Sequence, residues 1–393
     1  MNKSIKAIII GLSILLFPFS GYAQYSLNKE INGATLTVKP KGRLAIDGAF
    51  FKEDNTQLSN GVSFTEARIG LSASYKSWST TIDFGFTENK ISPKDIFLQY
   101  TINSRSEIIA GHKAEPFGLD AMEGAQNLRF FTGSSATNAF APGRKVGIAY
   151  VYHSSYFWGS AGFFGDGNGM GNRTEGDDGY AATSRVVFNP FQQEGSIFHI
   201  GLAGSYRKAD ANGINEEENK ENSRIIRYSS PLLSHIKKKD FISATITDAN
   251  YQAKYAIELI GALGPISFQG EYFHSYVKRR NELTSYQANG IYGQISYLLL
   301  GGKQSYSSNV ARLGQLKPKD LELVIRYDYT DLDCEEANIF GGKMSDWSVA
   351  LNYQLNKYIS FKMNYSHIKL GNLSPLAGGE KINVIQGRVL VLF

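Results

Sequence analysis

Cysteine is almost missing: Cys334 is the only one in 393 residues. No internal disulfide can form, and no zinc site built on cysteine pairs is available. Histidine is sparse, and none of His112, His153, His199, His235, His274 and His367 stands in a serine–histidine hydrolase motif. His367 directly follows Ser366, which in a strand sends the two side chains to opposite faces. A lipid-hydrolysing enzyme needs a nucleophile, a base and an orienting group in mutual reach, and no such set is visible. After residue 23 no apolar run reaches the roughly 20 residues of a membrane-spanning helix, which excludes a helical membrane protein. No glycine-rich phosphate loop, nucleic-acid motif or cofactor motif occurs.

What is present begins with an export signal. Lys3 and Lys6 form a positive start, residues 7–20 an apolar core, and Gly21-Tyr22-Ala23 a small-x-small cleavage site. This reads as a signal peptide over residues 1–23, removed ahead of Gln24, with a core too short for an anchor. The 41 Lys and Arg, less Lys3 and Lys6, then stand against 36 Asp and Glu, a balance of +3. So nearly neutral a chain gives no global pull on nucleic acid. Any anion preference has to come from the arrangement of charge. An exported chain without a spanning helix is periplasmic, secreted or an outer-membrane barrel. Its 23 Tyr, 24 Phe and 40 Gly beside 10 Pro favour the barrel, whose interfacial girdles are built from Tyr and Phe.

Period-two alternation supports the same class. In residues 382–393, Ile385, Gly387, Val389, Val391 and Phe393 form an uncharged set, interleaved with Val384, Gln386, Arg388, Leu390 and Leu392. Such a strand ending on Phe resembles the closing strand of bacterial outer-membrane barrels. The same alternation runs through 18 segments of the chain, two of which, 223–229 and 241–247, are poor. The expected fold is all-β: a transmembrane antiparallel β-barrel of 16 strands, 18 at most, over residues 42–393, after a short segment 24–41. Short turns such as Gly264-Pro265 and Asn356-Lys357 alternate with long loops, as periplasmic turns and external loops do.

The long irregular stretch 114–143 is either a surface loop or a loop folded into the barrel. Residues 165–179 hold Asp166, Asn168, Asp177 and Asp178, but Met170 sits where a calcium loop needs an oxygen ligand, so this reads as a solvated loop. The run Lys237 to Lys239 reads as a wet loop, with anion capture at a pore mouth as the alternative.

Several segments are similar to the phosphate-selective porin O and P family. Gly111-His112-Lys113-Ala114-Glu115-Pro116-Phe117-Gly118 resembles its G-x-x-K-x-P-F-G stretch, and 141–147 resembles the segment after its long loop. Gly264-Pro265 through Gln269-Gly270-Glu271-Tyr272 resembles its G-P-x-x-x-Q-G-E-Y strand. Tyr292, Gln294, Ser296, Tyr297, Leu299 and Gly301 keep the spacing of its Y-x-Q-x-S-Y-x-L-x-G strand, and 323–329 with Leu351-Asn352-Tyr353 resembles its penultimate region. The resemblance implies a 16-stranded outer-membrane barrel of a Gram-negative bacterium, usually a homotrimer in lipid. It also implies passive diffusion of small anions such as phosphate or pyrophosphate. The best-known members line the pore with an arginine ladder and a lysine cluster, which these motifs do not map residue by residue.

The strand phases allow a direct charge test. With the less apolar face inward, the lumen receives Arg43, Arg68, Lys113, Lys145, Arg185, Arg207, Lys254, Arg326, Lys362 and Arg388. It also receives Asp47, Glu66, Asp83, Asp95, Glu107, Glu258, Glu271, Glu322 and Asp328, so the two sets nearly cancel. Cross-strand pairing inside the wall accounts for such a balance. Near the long loop stand Lys113, Arg129, Arg144 and Lys145, with Glu115, Asp120 and Glu123. These four cations are the constriction candidates for an anion filter. A general porin without anion preference and a plugged structural or adhesive barrel are the rival readings.

Overall fold

The computed structural model describes residues 26–87, 90–166, 175–236 and 239–393. The signal peptide expected at 1–23, Asn168 and Met170 of the aspartate-rich loop, and Lys237 and Lys238 of the lysine run lie outside the described residues.

Sixteen antiparallel strands close into one barrel. They are β1 (Ala34–Glu53), β2 (Gly61–Tyr75), β3 (Trp78–Thr87), β4 (Lys90–Asn103), β5 (Ser106–Ala114), β6 (Arg144–His153), β7 (Phe157–Gly165) and β8 (Tyr180–Gln193). The second half is β9 (Ser196–Lys208), β10 (Ala249–Leu263), β11 (Ile266–Arg279), β12 (Tyr286–Leu300), β13 (Leu321–Cys334), β14 (Ile339–Gln354), β15 (Ile359–Leu370) and β16 (Lys381–Leu392). Each strand pairs with its neighbours in sequence, and β16 returns to β1 in register from Arg43 opposite Leu392 to Glu53 opposite Ile382. Closure leaves no sheet edge open to lipid, where unpaired amides would be costly.

The alternation decides which face is which. Phe50, Ile69, Phe163, Ile295 and Met363 point outward and are more than half exposed, as lipid-facing residues must be. Asp47, Arg185, Glu258, Glu322 and Arg326 point inward and are buried. The wall begins at Ala34, inside the segment expected to precede the barrel. There Asn32-Gly33, both at positive φ, turns a short strand, Leu27–Ile31, onto β1. Lys39, Pro40 and Lys41 break the apolar rhythm that would have revealed it.

The two poorly alternating segments are not wall strands. Ile226–Pro231 and Asp240–Ile246 form a separate hairpin inside the lumen, where Tyr228, Phe241, Ile242 and Ile246 are buried. The strands are only six and seven residues long, short of the roughly 9–11 that cross a bilayer, and their open face at Arg227 and Thr245 is polar rather than apolar.

Turns at one end are tight (76–77, 104–105, 194–195, 264–265), whereas 115–143, 209–248 and 371–380 crowd the other end. That asymmetry makes the tight-turn end periplasmic. Residues 301–320 depart from it, being long at the tight-turn end. The physical reason is apolar content: Leu313 packs with Leu119, Ile197 and Ile260, and Tyr306 packs against this cluster, so the segment folds up into the lumen.

Candidate pore constriction

The loop 115–143 turns inward at once. Gly118 has φ +79, and a Cβ there would stand 2.7 Å from Glu271 Oε1. The Glu271 carboxylate accepts the backbone N–H of Leu119 at 2.6 Å and of Asp120 at 3.2 Å, and Tyr292 donates its hydroxyl at 2.7 Å. Further on, Ser134 caps the short helix α1 (Ser135–Phe140) by accepting from Thr137 N at 2.9 Å. Asp328 accepts from the backbone N–H of Ser135 and from its hydroxyl at 2.7 Å. Phe140 ends the helix with ring centroids 5.6 Å from Tyr228 and 6.0 Å from Phe273. Two carboxylates on β11 and β13 thus hold the loop by its backbone, with an aromatic anchor beside them.

Wall cations hold the same loop by its carbonyls. Lys254 Nζ donates to Phe140 O at 2.7 Å, and Lys362 Nζ to Ala125 O at 3.1 Å and to Leu128 O. Arg388 donates to Phe131 O at 3.3 Å, and its guanidinium lies 4.7 Å from the Phe131 ring. Arg326 lies 4.2 Å from the Phe130 ring. Most remaining lumenal charge is neutralised within the wall. Arg185 pairs with Glu258 at 2.7 Å, Arg388 with Asp47 at 2.6 Å, Arg43 with Glu66 at 2.6 Å, and Arg207 with Glu115 and Asp166.

Two more segments narrow the barrel. The inner hairpin brings its tip to the loop, where His235 Nε2 and Phe131 O are 2.9 Å apart and Gln386 donates to Leu233 O at 2.8 Å. From the periplasmic end, 301–320 meets the same loop. Arg312 pairs with Glu123 at 3.0 Å, Gln315 donates to Asn127 Oδ1 at 2.6 Å, and Arg129 donates to Gly314 O at 3.2 Å. Trp158 and Arg185 hold that segment through Asn309 O and Ala311 O, each at 2.9 Å.

An off-centre cavity of about 580 Å³, the candidate passage, lies against β2 to β4. Its wall side carries Glu66, Arg68, Gly85 and Lys94; its loop side carries Asp120, Glu123, Thr132 and Asn138; Arg388 and His235 close it. Lys94 makes no ion pair among the described residues, whereas Arg68 is shared between Glu66 at 2.5 Å and Asp83 at 3.6 Å. Burial raises the carboxyls of Asp120 and Glu123 above the usual range, against the pull of Arg326 on the first and Arg312 on the second. Burial acts the same way on Asp166, yet Arg207 and Lys145 outweigh it and hold that carboxyl low.

The expected constriction cations do not form one ring. Lys113 and Lys145 are cross-strand partners on β5 and β6, with Arg144 beside them. Arg144 pairs with Asp95 at 3.0 Å and Lys145 with Asp166 at 3.6 Å. Arg129 lies across the lumen, buried behind the loop 3.3 Å from Glu322. None of these four is on the lining of the passage, while Arg68 and Arg388 of the wider set are. Lys94 escaped the sequence reading. A bulge pairs Ile82 with Ile96 and then Phe84 with Pro93, so the phase changes beside Lys94.

A closed 16-strand barrel with greasy outer wall, charged lumen and inward loops that narrow it is an outer-membrane porin. The chain belongs to a family within that class: the family described as phosphate-selective porin O and P matches residues 38–393. It is 21% identical to Porin O of Pseudomonas aeruginosa, over 89% of this chain and 90% of that protein. It is 22% identical to an uncharacterised protein of Caulobacter vibrioides, over 89% of this chain and 73% of the other. Among solved structures it is similar in fold to the anion-selective porin of Comamonas acidovorans, with TM-score 0.60, 12% identity and coverage of 91% and 100%. It is likewise similar to OmpT of Vibrio cholerae, with TM-score 0.59, 13% identity and coverage of 93% and 100%. The protein is integral to the outer membrane of a Gram-negative bacterium, and its family and fold are those of a channel.

Proposed function

We propose that this porin passes small anions of phosphate size through the passage beside β2 to β4. The observation that carries the reading is Lys94. It is a lysine on the lining without an ionic partner among the described residues, beside Arg68 and with Arg388 on the same lining. Lys113, Arg129, Arg144 and Lys145 then act on the field of the passage at a distance rather than by contact. The family description and the printed name of the Comamonas porin support an anionic solute. Glu66, Asp120 and Glu123 on the same lining favour the rival, a pore without preference.

Reversal potentials in planar bilayers under a KCl gradient separate the two. Wild type is expected to prefer chloride, and Lys94→Gln to lose about 1 kcal/mol of that preference, roughly fivefold in the permeability ratio. The quadruple neutralisation at Lys113, Arg129, Arg144 and Lys145 is expected to reduce it further. No chloride preference in wild type, or none lost in either variant, sinks the reading. Phosphate and pyrophosphate compared with chloride then grade the solute.

We also propose a homotrimer, supported by the trimer form named for Vibrio cholerae OmpT; light scattering in detergent tests it. Cleavage after Ala23 belongs to the same proposal, and the intact mass of protein from outer membranes checks it.

A further inference from the structure

The outer face of the barrel carries a second arrangement of charge, at the long-loop rim. Tyr180 is the partner of Lys208 across β8 and β9, and Tyr251 is the partner of Lys278 across β10 and β11. Arg207 faces Gln252, so the next residue, Lys208, stands beside Tyr251. Four strands thus present a row that reads Tyr, Lys, Tyr, Lys on the outside. One step towards the membrane centre, Tyr206 and Tyr276 flank Ala253. The Tyr251 ring stacks on Tyr206 at 5.3 Å and meets Tyr276 at 6.3 Å. Further in, the same face becomes aliphatic with Leu202 and Ile257, both about half exposed.

Neither lysine makes an ion pair among the described residues. Elsewhere on the rim the outward Lys343 is paired with Asp331 at 2.8 Å, while Lys52 stands across from Asn383 and Lys369 across from Ser345 and Lys381, with no tyrosine opposite either. Two unpaired cations separated by one strand lie roughly 10 Å apart. They stand where lipid headgroups meet the barrel, above a tyrosine shelf and then an aliphatic wall. That sequence of chemistries matches one lipid from head to tail. Ammonium groups meet phosphate oxygens, aromatic rings with polar tips meet the interfacial layer, and aliphatic side chains meet acyl chains.

We propose that the rim of β9 to β11 seats a phosphorylated headgroup of an outer-leaflet lipid, with Lys208 and Lys278 on its phosphates. The proposal rests on the outer-membrane location but not on what passes through the pore. The test is native mass spectrometry of the detergent-purified protein with added diphosphoryl lipid A. Wild type is expected to retain the lipid, and Lys208→Gln with Lys278→Gln to lower its occupancy about tenfold. Single-channel conductance and heat-modifiable gel mobility are expected to stay unchanged in the double variant, which shows that the barrel has folded. A charge-matched control, Lys52→Gln with Lys369→Gln, is expected to keep occupancy near wild type. Dephosphorylated lipid A is expected to bind poorly, and inorganic phosphate is expected not to displace the bound lipid. Equal occupancy in the double variant and wild type overturns the proposal. So does equal loss in the control, full binding of the dephosphorylated lipid, or displacement by inorganic phosphate.

Discussion

Burial holds the Asp120 and Glu123 carboxyls above the usual carboxylate range, and both face the passage. The fold favours their protonated forms. Their contribution to stability is therefore present in acid and is lost as pH rises through the raised values. The effect on permeation has a definite sign too. Lowering the pH towards the ordinary carboxylate range removes negative charge from the passage before an ordinary solvent-exposed carboxyl would titrate. Chloride preference is expected to rise over that window, and Asp120→Asn with Glu123→Gln to flatten the rise. Reversal potentials measured at stepped pH check it, and a wild-type preference independent of pH refutes it. At this scale the sequence was informative about direction and poor about role. The inward cations were legible from phase, because Arg185, Arg326 and Arg388 are buried. That Lys254 and Lys362 are spent on loop carbonyls was not legible, since those partners lie far away in the chain.

The wall strands were legible as elements because lipid outside and water or charge inside force period-two alternation. Their ends were less so: β4 begins at Lys90 and β12 at Tyr286, before the alternation becomes clear at 95 and 291. The direction of the loop 115–143 could not be read. It is set by Glu271 and Asp328, more than a hundred residues downstream, which accept its N–H groups. Removing one of these acceptors tests the latch. Glu271→Ala leaves the N–H groups of Leu119 and Asp120 and the Tyr292 hydroxyl without their acceptor, at about 1–3 kcal/mol for each buried orphan. The expected outcome is a loop that samples more than one position, seen as greater open-channel noise and more frequent closures in single-channel records. Arg312→Ala cuts the loop's tie to 301–320 and is expected to act in the same sense but less, because that pair is partly exposed. Quiet wild-type-like records from Glu271→Ala would mean that the carboxylate does not hold the loop.

At the scale of the whole molecule, everything depends on joining β16 to β1. Beyond the ladder, Gly42 donates its N–H to Phe393 O at 2.6 Å, and Phe393 donates back to Gly42 O at 3.1 Å. The Phe393 ring lies over Gly42 so closely that any Cβ there would overlap it. The glycine is thus the seat of the terminal aromatic, and a side chain at 42 must push the ring away from the seam. Gly42→Val is expected to destabilise closure by about 1 kcal/mol, the low end of overpacking, because the displaced ring is half exposed and can swing aside. Gly387→Ala is the matched control, because it sits on the same seam opposite Gly48 with nothing near its Cβ direction. Urea titrations of refolding into lipid vesicles, read by the heat-modifiable gel shift, compare the three proteins. Gly42→Val is expected to shift the midpoint to lower urea and Gly387→Ala to stay close to wild type. If both variants match wild type, the ring does not need its glycine seat, and closure rests on the backbone ladder alone.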